Sequence, residues 1–96
     1  MEMAIDVRPK FHPGRIVFTA GAIDSLSEDD IFDGLSRHFS GDWGELCGEG
    51  RAENERSLRE GHRLFSAYRS KEGKVRFWVI TEHDRSATTV LLPMEY

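Results

Sequence analysis

The chain has 96 residues, a formal net charge of −4 and one cysteine, Cys47. This length suits one domain that buries roughly two-thirds of its unfolded surface, and a lone cysteine excludes an intramolecular disulfide framework. With 39% hydrophobic and 31% charged residues, no signal peptide and no long apolar run, the composition predicts a globular cytoplasmic protein, neither disordered nor membrane-spanning.

The N-terminal residues 1–12 are predicted to be a flexible lead-in to a single domain over 13–96. RIVFT (15–19) follows Pro13–Gly14, a turn signal, and has the branched and aromatic residues typical of a strand. Residues 22–26 are too few for a helix and are expected to form one turn at most.

The strongest helix signal covers residues 27–40. Ser27 can cap it, with Asp30 as the reciprocal capping partner, and acidic residues in the first turn suit the helix dipole. Gly34 weakens the interior by about 1 kcal/mol relative to alanine. One apolar stripe at helical spacing predicts the buried side: Ile31, Phe32, Leu35 and Phe39.

A glycine-rich stretch and a polar helix follow. GDWGELCGEG (41–50) is predicted to be an ordered loop with Trp43 pointing inward. A helix is predicted at 51–60, supported by charge pairs spaced i, i+4. Its apolar face is thin, so we expect it to lie on the surface or to bridge to a partner.

From residue 62 the hydrophobic period changes from 3.6 to 2. Three strands separated by turns are predicted at 62–69, 75–82 and 87–93, as an antiparallel meander. The expected fold is therefore α+β with two layers. An antiparallel three- to four-stranded sheet, with its meander in 62–93, carries one or two helices (27–40, 51–60) on one face.

The middle strand places apolar residues on both faces of the sheet, and the predicted helices suffice for one. Trp78 and Ile80 lie on the face that no helix covers. We therefore expect a homodimer that uses this second face. The candidate interface residues are Trp78, Ile80 and Tyr68.

No pattern predicts a metal, a cofactor or a catalytic residue. The four histidines form no HxxxH or HxH pair, and Cys47 has no cysteine partner. The glycines of 41–50 match neither GxxxxGK[ST] nor GxGxxG, and their acidic neighbours would repel a phosphate. The lone Cys47 has no family signature of a catalytic thiol around it. The chain is thus expected not to be an enzyme.

The stretch TEHDRSATTVLLP (81–93) contains the densest group of charges, Glu82, His83, Asp84 and Arg85. An acid/base site is one interpretation, but a hairpin turn explains the same residues more economically. Period-2 geometry sends Glu82 and His83 to opposite faces. We expect Asp84 and Arg85 to brace the turn or a subunit contact, together with the GDWG loop. The binding candidates are Asp42, Trp43, Thr81, Glu82, Asp84 and Arg85.

Several stretches together resemble a family of small bacterial proteins carried on plasmids, integrative elements and other mobile DNA, often labelled "plasmid-related protein". The resemblance covers 13–96, and its most specific parts are GDWG (41–44), ENE (53–55) and ITE-x-DR-S-x-TT-x-LLP (80–93). The family pattern has Pro where this chain has Ala20, which affects no site. The resemblance implies an origin on mobile DNA but no activity. A restriction–modification label on some members does not fit, because this chain is too short for a methyltransferase domain and lacks its Gly-rich loop.

Three functions follow as hypotheses. The first is a small cytoplasmic accessory protein of a mobile element, acting by contact with an unknown protein partner and as a homodimer. The second is a RelE-like ribonuclease toxin, suggested by element order. The third is an acidic nucleic-acid mimic that inhibits a host nuclease or restriction enzyme. Its carboxylates would be Asp24, Glu28, Asp29, Asp30 and Asp33. Direct binding of nucleic acid is disfavoured because positive charge is not concentrated.

Overall fold

A computed structural model describes residues 9–96, which form four strands, three α-helices and a final 3₁₀ helix. The elements in chain order are β1 (Arg15–Phe18), α1 (Ala20–Ser25), α2 (Glu28–Phe39), α3 (Gly48–Glu60), β2 (Leu64–Arg69), β3 (Arg76–Thr81), β4 (Ala87–Leu91) and the 3₁₀ helix Pro93–Glu95. The predicted α+β class is confirmed. None of the helices in this range is both long enough and apolar enough to cross a membrane.

The four strands form one sheet in the order β1-β4-β3-β2. Strands β2, β3 and β4 form the predicted antiparallel meander, with Thr81 opposite Leu64 on one side and Thr88 on the other. Strand β1, however, pairs with β4 in parallel. The expectation of a purely antiparallel sheet was therefore wrong. A parallel neighbour needs a long crossover, and the chain between β1 and the meander, which contains all three helices, supplies it.

Helix α2 begins as predicted. The Ser27 hydroxyl accepts from the Asp30 N–H at 3.1 Å, and the Asp30 carboxylate accepts from the Ser27 N–H at 3.3 Å. The stretch expected to form one turn at most is helix α1, capped by the Thr19 hydroxyl. Helix α3 starts earlier than expected, at Gly48.

The core lies between one face of the sheet and helices α1 and α2. Its buried members are Ala22, Leu26, Ile31, Leu35, Phe39, Tyr68, Phe77, Val79, Val90 and Leu92. Helix α2 approaches the sheet closely at Gly34, where an added Cβ would lie 2.6 Å from the Phe77 ring. The glycine that weakens the helix in isolation is thus what permits this packing.

Helix α3 lies beside the sheet edge, not over a face. Its Asn54 side chain donates to the Phe65 carbonyl at 2.6 Å and accepts from the Phe65 N–H at 3.1 Å, as a neighbouring strand would. Main-chain groups of a strand point within the plane of the sheet. This double bond therefore fixes α3 along the outer edge of β2.

The lead-in predicted at 1–12 extends beyond the described residues, because 1–8 lie outside them. Its described end packs on the fold. The Lys10 N–H donates to the Phe39 carbonyl at 2.9 Å, and the Phe11 ring meets His38 and Phe39 edge-on at centroid distances of 5.4 and 5.8 Å. The described end of this segment therefore contacts α2 through one hydrogen bond and two pairs of rings.

Candidate functional site

Arg85 occupies the turn between β3 and β4 with a left-handed backbone, φ +60°. Its guanidinium donates to three carbonyls from separate segments, those of Ser57 at 3.0 Å, His62 at 2.6 Å and Glu82 at 3.1 Å. Burial lowers the pKa of Arg85. Its cation thus closes the C-terminal end of α3, where the helix dipole favours positive charge, and binds that end to the turn.

Asp84 next to it faces solvent and caps the same turn. Its carboxylate accepts from the Ser86 N–H at 3.1 Å, and hydrogen bonds from Ser86 lower the pKa of Asp84. The Arg85 guanidinium donates instead to the carbonyls of Ser57, His62 and Glu82. The two charges therefore do not converge on a common point, as an acid/base pair with an anion clamp would require.

A chain of buried polar side chains lies under this turn. His38 of α2 has no exposed surface, and its ring nitrogens contact Ser66 Oγ at 2.6 Å and Thr81 Oγ1 at 2.9 Å. Thr81 Oγ1 lies 2.8 Å from Thr88 Oγ1, which donates to the Pro13 carbonyl at 2.7 Å. The chain links a helix, three strands and the segment before β1.

The Pro13 carbonyl at one end of this chain sets the direction of the hydrogen bonds from Thr88 back to His38 Nε2. The Pro13 carbonyl can only accept, so the single hydroxyl proton of Thr88 is used there, and Thr81 must donate to Thr88. Thr81 then accepts from Nε2–H of His38. Because burial keeps the ring neutral, Nδ1 carries no proton and accepts from the Ser66 hydroxyl. Burial, with a smaller contribution from the nearby Arg85 charge, lowers the pKa of His38 from 6.5 to about 3.

The GDWG loop forms a short extension of the sheet at the edge of β2. Gly44 pairs with Ala67, through Glu45 N–H to the Ala67 carbonyl at 2.7 Å and Ala67 N–H to the Trp43 carbonyl at 3.3 Å. Gly44 has φ +76°, and a Cβ there would collide with the Ala67 carbonyl. The Trp43 ring is buried and its N–H donates to the Glu55 carboxylate at 2.8 Å. The main chain of the loop thus pairs with β2 and its Trp43 side chain bonds to α3, so that the loop joins α3 to the sheet.

The six predicted binding residues do not gather into one site. Asp42 pairs with Arg37 at 2.7 Å at the end of α2, Trp43 is buried, and Thr81 belongs to the His38 chain. Glu82 lines a groove on the second face of the sheet. Within residues 9–96, no group of three or more His, Cys, Asp and Glu side chains is placed to hold a metal ion.

The second face of the sheet carries a cluster of aromatic rings. Trp78 meets Phe65 at a centroid distance of 4.8 Å and Tyr96 at 5.6 Å. Arg63 lies over the Tyr96 ring at 5.5 Å and donates to its hydroxyl at 2.8 Å. We call Arg63, Phe65, Trp78 and Tyr96 the aromatic cluster. Phe65 and Tyr96 were not predicted from the sequence, although Phe65 pairs with Ile80 of β3 and therefore lies on the same face of the sheet.

A shallow groove of about 250 Å³ runs beside the aromatic cluster. It is lined by Arg63, Ile80, Glu82, Thr89, Leu91, Glu95 and Tyr96. Ile80, predicted at a dimer interface, forms part of this groove but is only 4% exposed. Tyr68, predicted with it, points to the opposite face, where it is 2% exposed and donates its hydroxyl proton to the Asp42 carbonyl. Its parity in β2 places it in the core, so Tyr68 cannot contribute to a contact on the second face.

No protein-family model matches the chain, and neither the curated proteins nor the solved structures give a match. The resemblance to proteins of mobile DNA therefore stays a prediction.

Proposed function

We propose that the protein is a binding protein that acts by contact with another protein, and that the aromatic cluster with its groove is the contact surface. The observation that carries this proposal is the composition of the cluster. Trp, Tyr and Arg are the residues that most often dominate the energy of protein interfaces. Here Arg63 and Tyr96 are exposed, and Tyr96 exposes 70% of its surface. The groove beside them is lined by apolar and charged residues.

The state of the chemically capable side chains supports a binding role over catalysis. His38 is enclosed, neutral and bonded at both ring nitrogens. The Nη1 and Nη2 atoms of Arg85 donate to carbonyls of the chain itself. A general base must reach the substrate proton directly or through one water, and His38 has no exposed surface from which to do so.

The setting in which the protein acts is a further part of the proposal. The resemblance in GDWG, ENE and the stretch 80–93 suggests a small cytoplasmic accessory protein of a mobile genetic element. A homodimer remains part of this proposal. Of the residues expected at its interface, Tyr68 is in the core and Ile80 is almost fully covered.

The test compares capture of partners from a lysate of the bacterium of origin. We expect the wild-type chain to retain a specific protein, and both Arg63→Glu and Tyr96→Ala to weaken its retention at least about tenfold, as loss of an interface hot spot does. These side chains lie outside the core, so circular dichroism should show an unchanged fold. Ile23→Ser is the matched control, because Ile23 of α1 is 61% exposed and lies outside the cluster.

Equal capture by wild type and both cluster variants would contradict the proposal. A captured protein that binds only through RNA, and is released by nuclease treatment, would instead support a nucleic-acid role for this face.

The two other functions receive less support from the geometry. A ribonuclease that acts through Arg85 would need this cation free to hold a phosphate, but its Nη1 and Nη2 atoms donate to carbonyls of the chain itself. Expression without growth arrest would remove that alternative. An acidic mimic would present all five carboxylates of residues 24–33 to its target. Asp30, however, is buried and accepts from the Lys71 N–H at 2.8 Å.

A further inference from the structure

The two edges of the sheet differ in how their main-chain groups are used. On the β2 edge, the Phe65 and Ala67 main-chain groups are bonded to Asn54 and to the GDWG loop. Such coverage prevents pairing with another chain. The β1 edge has no comparable cover among residues 9–96.

The outward groups of β1 can be assigned from its pairing with β4. The N–H groups of Arg15 and Thr19 donate to Ser86 and Val90, at 3.0 and 3.1 Å. Strand groups alternate in direction. The N–H and C=O groups of Ile16 and Phe18 therefore point away from β4, and no main-chain or side-chain partner for them exists within residues 9–96.

We propose that β1 pairs antiparallel with β1 of a second copy, about a twofold axis at Val17, to form a continuous eight-stranded sheet. This rests on the homodimer in the proposed function and assigns its surface and register. Ile16 of each copy exchanges two main-chain hydrogen bonds with Phe18 of the other. Four donors and four acceptors are satisfied in this way, two of each from either copy.

The side chains fit this register. Val17 meets Val17 of the second copy as a non-hydrogen-bonded pair, in which Cα atoms lie about 4.5 Å apart, and branched residues pair well across strands. Arg15 lies opposite Thr19 of the second copy, so no like charges face each other. A second copy therefore suits this edge, because the strand RIVF is complementary to itself in both hydrogen bonding and charge.

The arrangement has a consequence for the aromatic cluster. Residues opposite each other in an antiparallel pair point to the same face, so both clusters lie on one side of the joined sheet. The dimer would present two copies of the contact surface to one partner assembly. A junction of four-residue strands is smaller than the roughly 800 Å² per partner of a standard interface. We therefore expect a dissociation constant on the order of micromolar.

Disulfide trapping tests the register. The background is Cys47→Ser, which removes the native thiol. In it, Val17→Cys places a cysteine in each copy at a Cα–Cα separation within the roughly 4.4–6.8 Å that a disulfide needs. Thr89→Cys is the matched control. Thr89 is the neighbour of Val17 in β4 on the same face, so the two Thr89 positions would be three strand spacings, about 14 Å, apart. We expect mild oxidation to give covalent dimer with Val17→Cys and none with Thr89→Cys.

Light scattering on the full chain, without added cysteines, separates this inference from the wider proposal. We expect a dimer at high micromolar concentration that Val17→Lys shifts to monomer and Thr89→Lys does not. A dimer with no Val17→Cys cross-link would overturn the β1 pairing and leave the homodimer standing. A monomer at all concentrations would overturn both the β1 pairing and the homodimer, whether residues 1–8 or a strand of another protein occupies the β1 edge. Neither result would decide whether the protein captures a partner protein.

Discussion

At the scale of single residues, the buried chain through His38 depends on every member. Each of the two threonine hydroxyls both donates and accepts, so removal of one deprives two neighbours of a hydrogen bond. An unsatisfied buried polar group costs about 1–3 kcal/mol. Substitution of these small side chains should therefore lower stability even where it changes their shape little.

We expect Thr81→Val, which keeps the shape of the side chain, to lower the free energy of unfolding by about 1–3 kcal/mol. It removes the acceptor of His38 Nε2–H and the donor to Thr88. Thr89→Val is the matched control, because Thr89 lies in the next strand on the opposite face, outside the His38 chain. Its effect should be within about 0.5 kcal/mol. Urea denaturation measures both, and equal effects would contradict the assignment.

The low pKa of His38 predicts a dependence of stability on pH. The folded-state pKa of about 3 lies below the unfolded value of 6.5, so between these values the unfolded chain binds the additional proton. Stability is therefore fully present above pH 6.5 and falls as pH decreases, by up to about 1.4 kcal/mol per unit. Carboxylates with lowered pKa values, such as Asp42 and Asp84, add to this loss only at lower pH.

The measurement is the free energy of unfolding between pH 7 and pH 4.5. His38→Gln, whose amide can donate to Thr81 and accept from Ser66 without taking up a proton, should flatten the profile. His83→Gln, at an exposed histidine of the β3–β4 turn, should leave the slope as it is. A steep profile retained in His38→Gln would show that another group titrates.

At the scale of elements, α3 is attached chiefly by polar contacts. Its Asn54 bonds to β2, its Glu55 to Trp43, and its Ser57 carbonyl to Arg85. A helix whose apolar face is thin cannot rely on burial alone. These three side-chain links therefore decide where α3 lies.

Arg85→Lys should lower the free energy of unfolding by about 1–3 kcal/mol, because one ammonium group cannot reach the three carbonyls that a planar guanidinium spans. We also expect faster amide exchange in the last turn of α3. Arg56→Lys serves as the control, since its side chain is 52% exposed and pairs with Glu53 on the surface. If both substitutions had the same small effect, Arg85 would not be the attachment of α3.

Gly34→Ala separates helix propensity from packing. Propensity alone predicts stabilisation by about 1 kcal/mol, but the added Cβ would lie 2.6 Å from the Phe77 ring. We expect net destabilisation of about 1–3 kcal/mol, typical of an overfilled core. Gly48→Ala in α3, where nothing lies within 4 Å of the added Cβ, should be neutral or mildly stabilising. Thermal unfolding of the two variants compares them directly, and a stabilised Gly34→Ala would refute the packing argument.

At the scale of the whole molecule, residues 9–96 cover the β2 edge of the sheet but not the β1 edge, and the two faces of the sheet carry different chemistry. Helices cover one face, while the aromatic cluster and exposed arginines occupy the other. Edges and faces that remain unsatisfied within a chain are where assembly starts. This asymmetry is the basis of the two contacts proposed above, at the β1 edge and on the second face.

Asn54→Ala should open the covered edge. The Phe65 N–H and C=O would lose both partners, which predicts a loss of about 2 kcal/mol or more and aggregation that increases with concentration. Glu53→Ala, at the preceding exposed position, should change neither property. Light scattering during mild heating would detect the difference. An Asn54→Ala protein as monodisperse as Glu53→Ala would show that the GDWG loop alone protects this edge.

Periodicity and capping predict most of the secondary structure of this chain, because these signals are local. Ser27 and Asp30 specify the start of α2, and alternation specifies the three strands of the meander. The single parallel pair between β1 and β4 was not predicted, since strand pairing depends on residues about 70 positions apart. Helix α1 was underestimated for a similar reason, because its stability comes from burial of Ala22 against the core.

By itself, the sequence determined the α+β class, the meander and the face on which Trp78 lies, since these depend on spacing between near neighbours. Only the tertiary structure decided that His38, Ser66, Thr81 and Thr88 form one chain, that Arg85 closes α3 and that Tyr68 belongs to the core. Side chains far apart in sequence acquire partners only when the strands and helices take their register, and the charges of the β3–β4 turn became structural contacts for that reason.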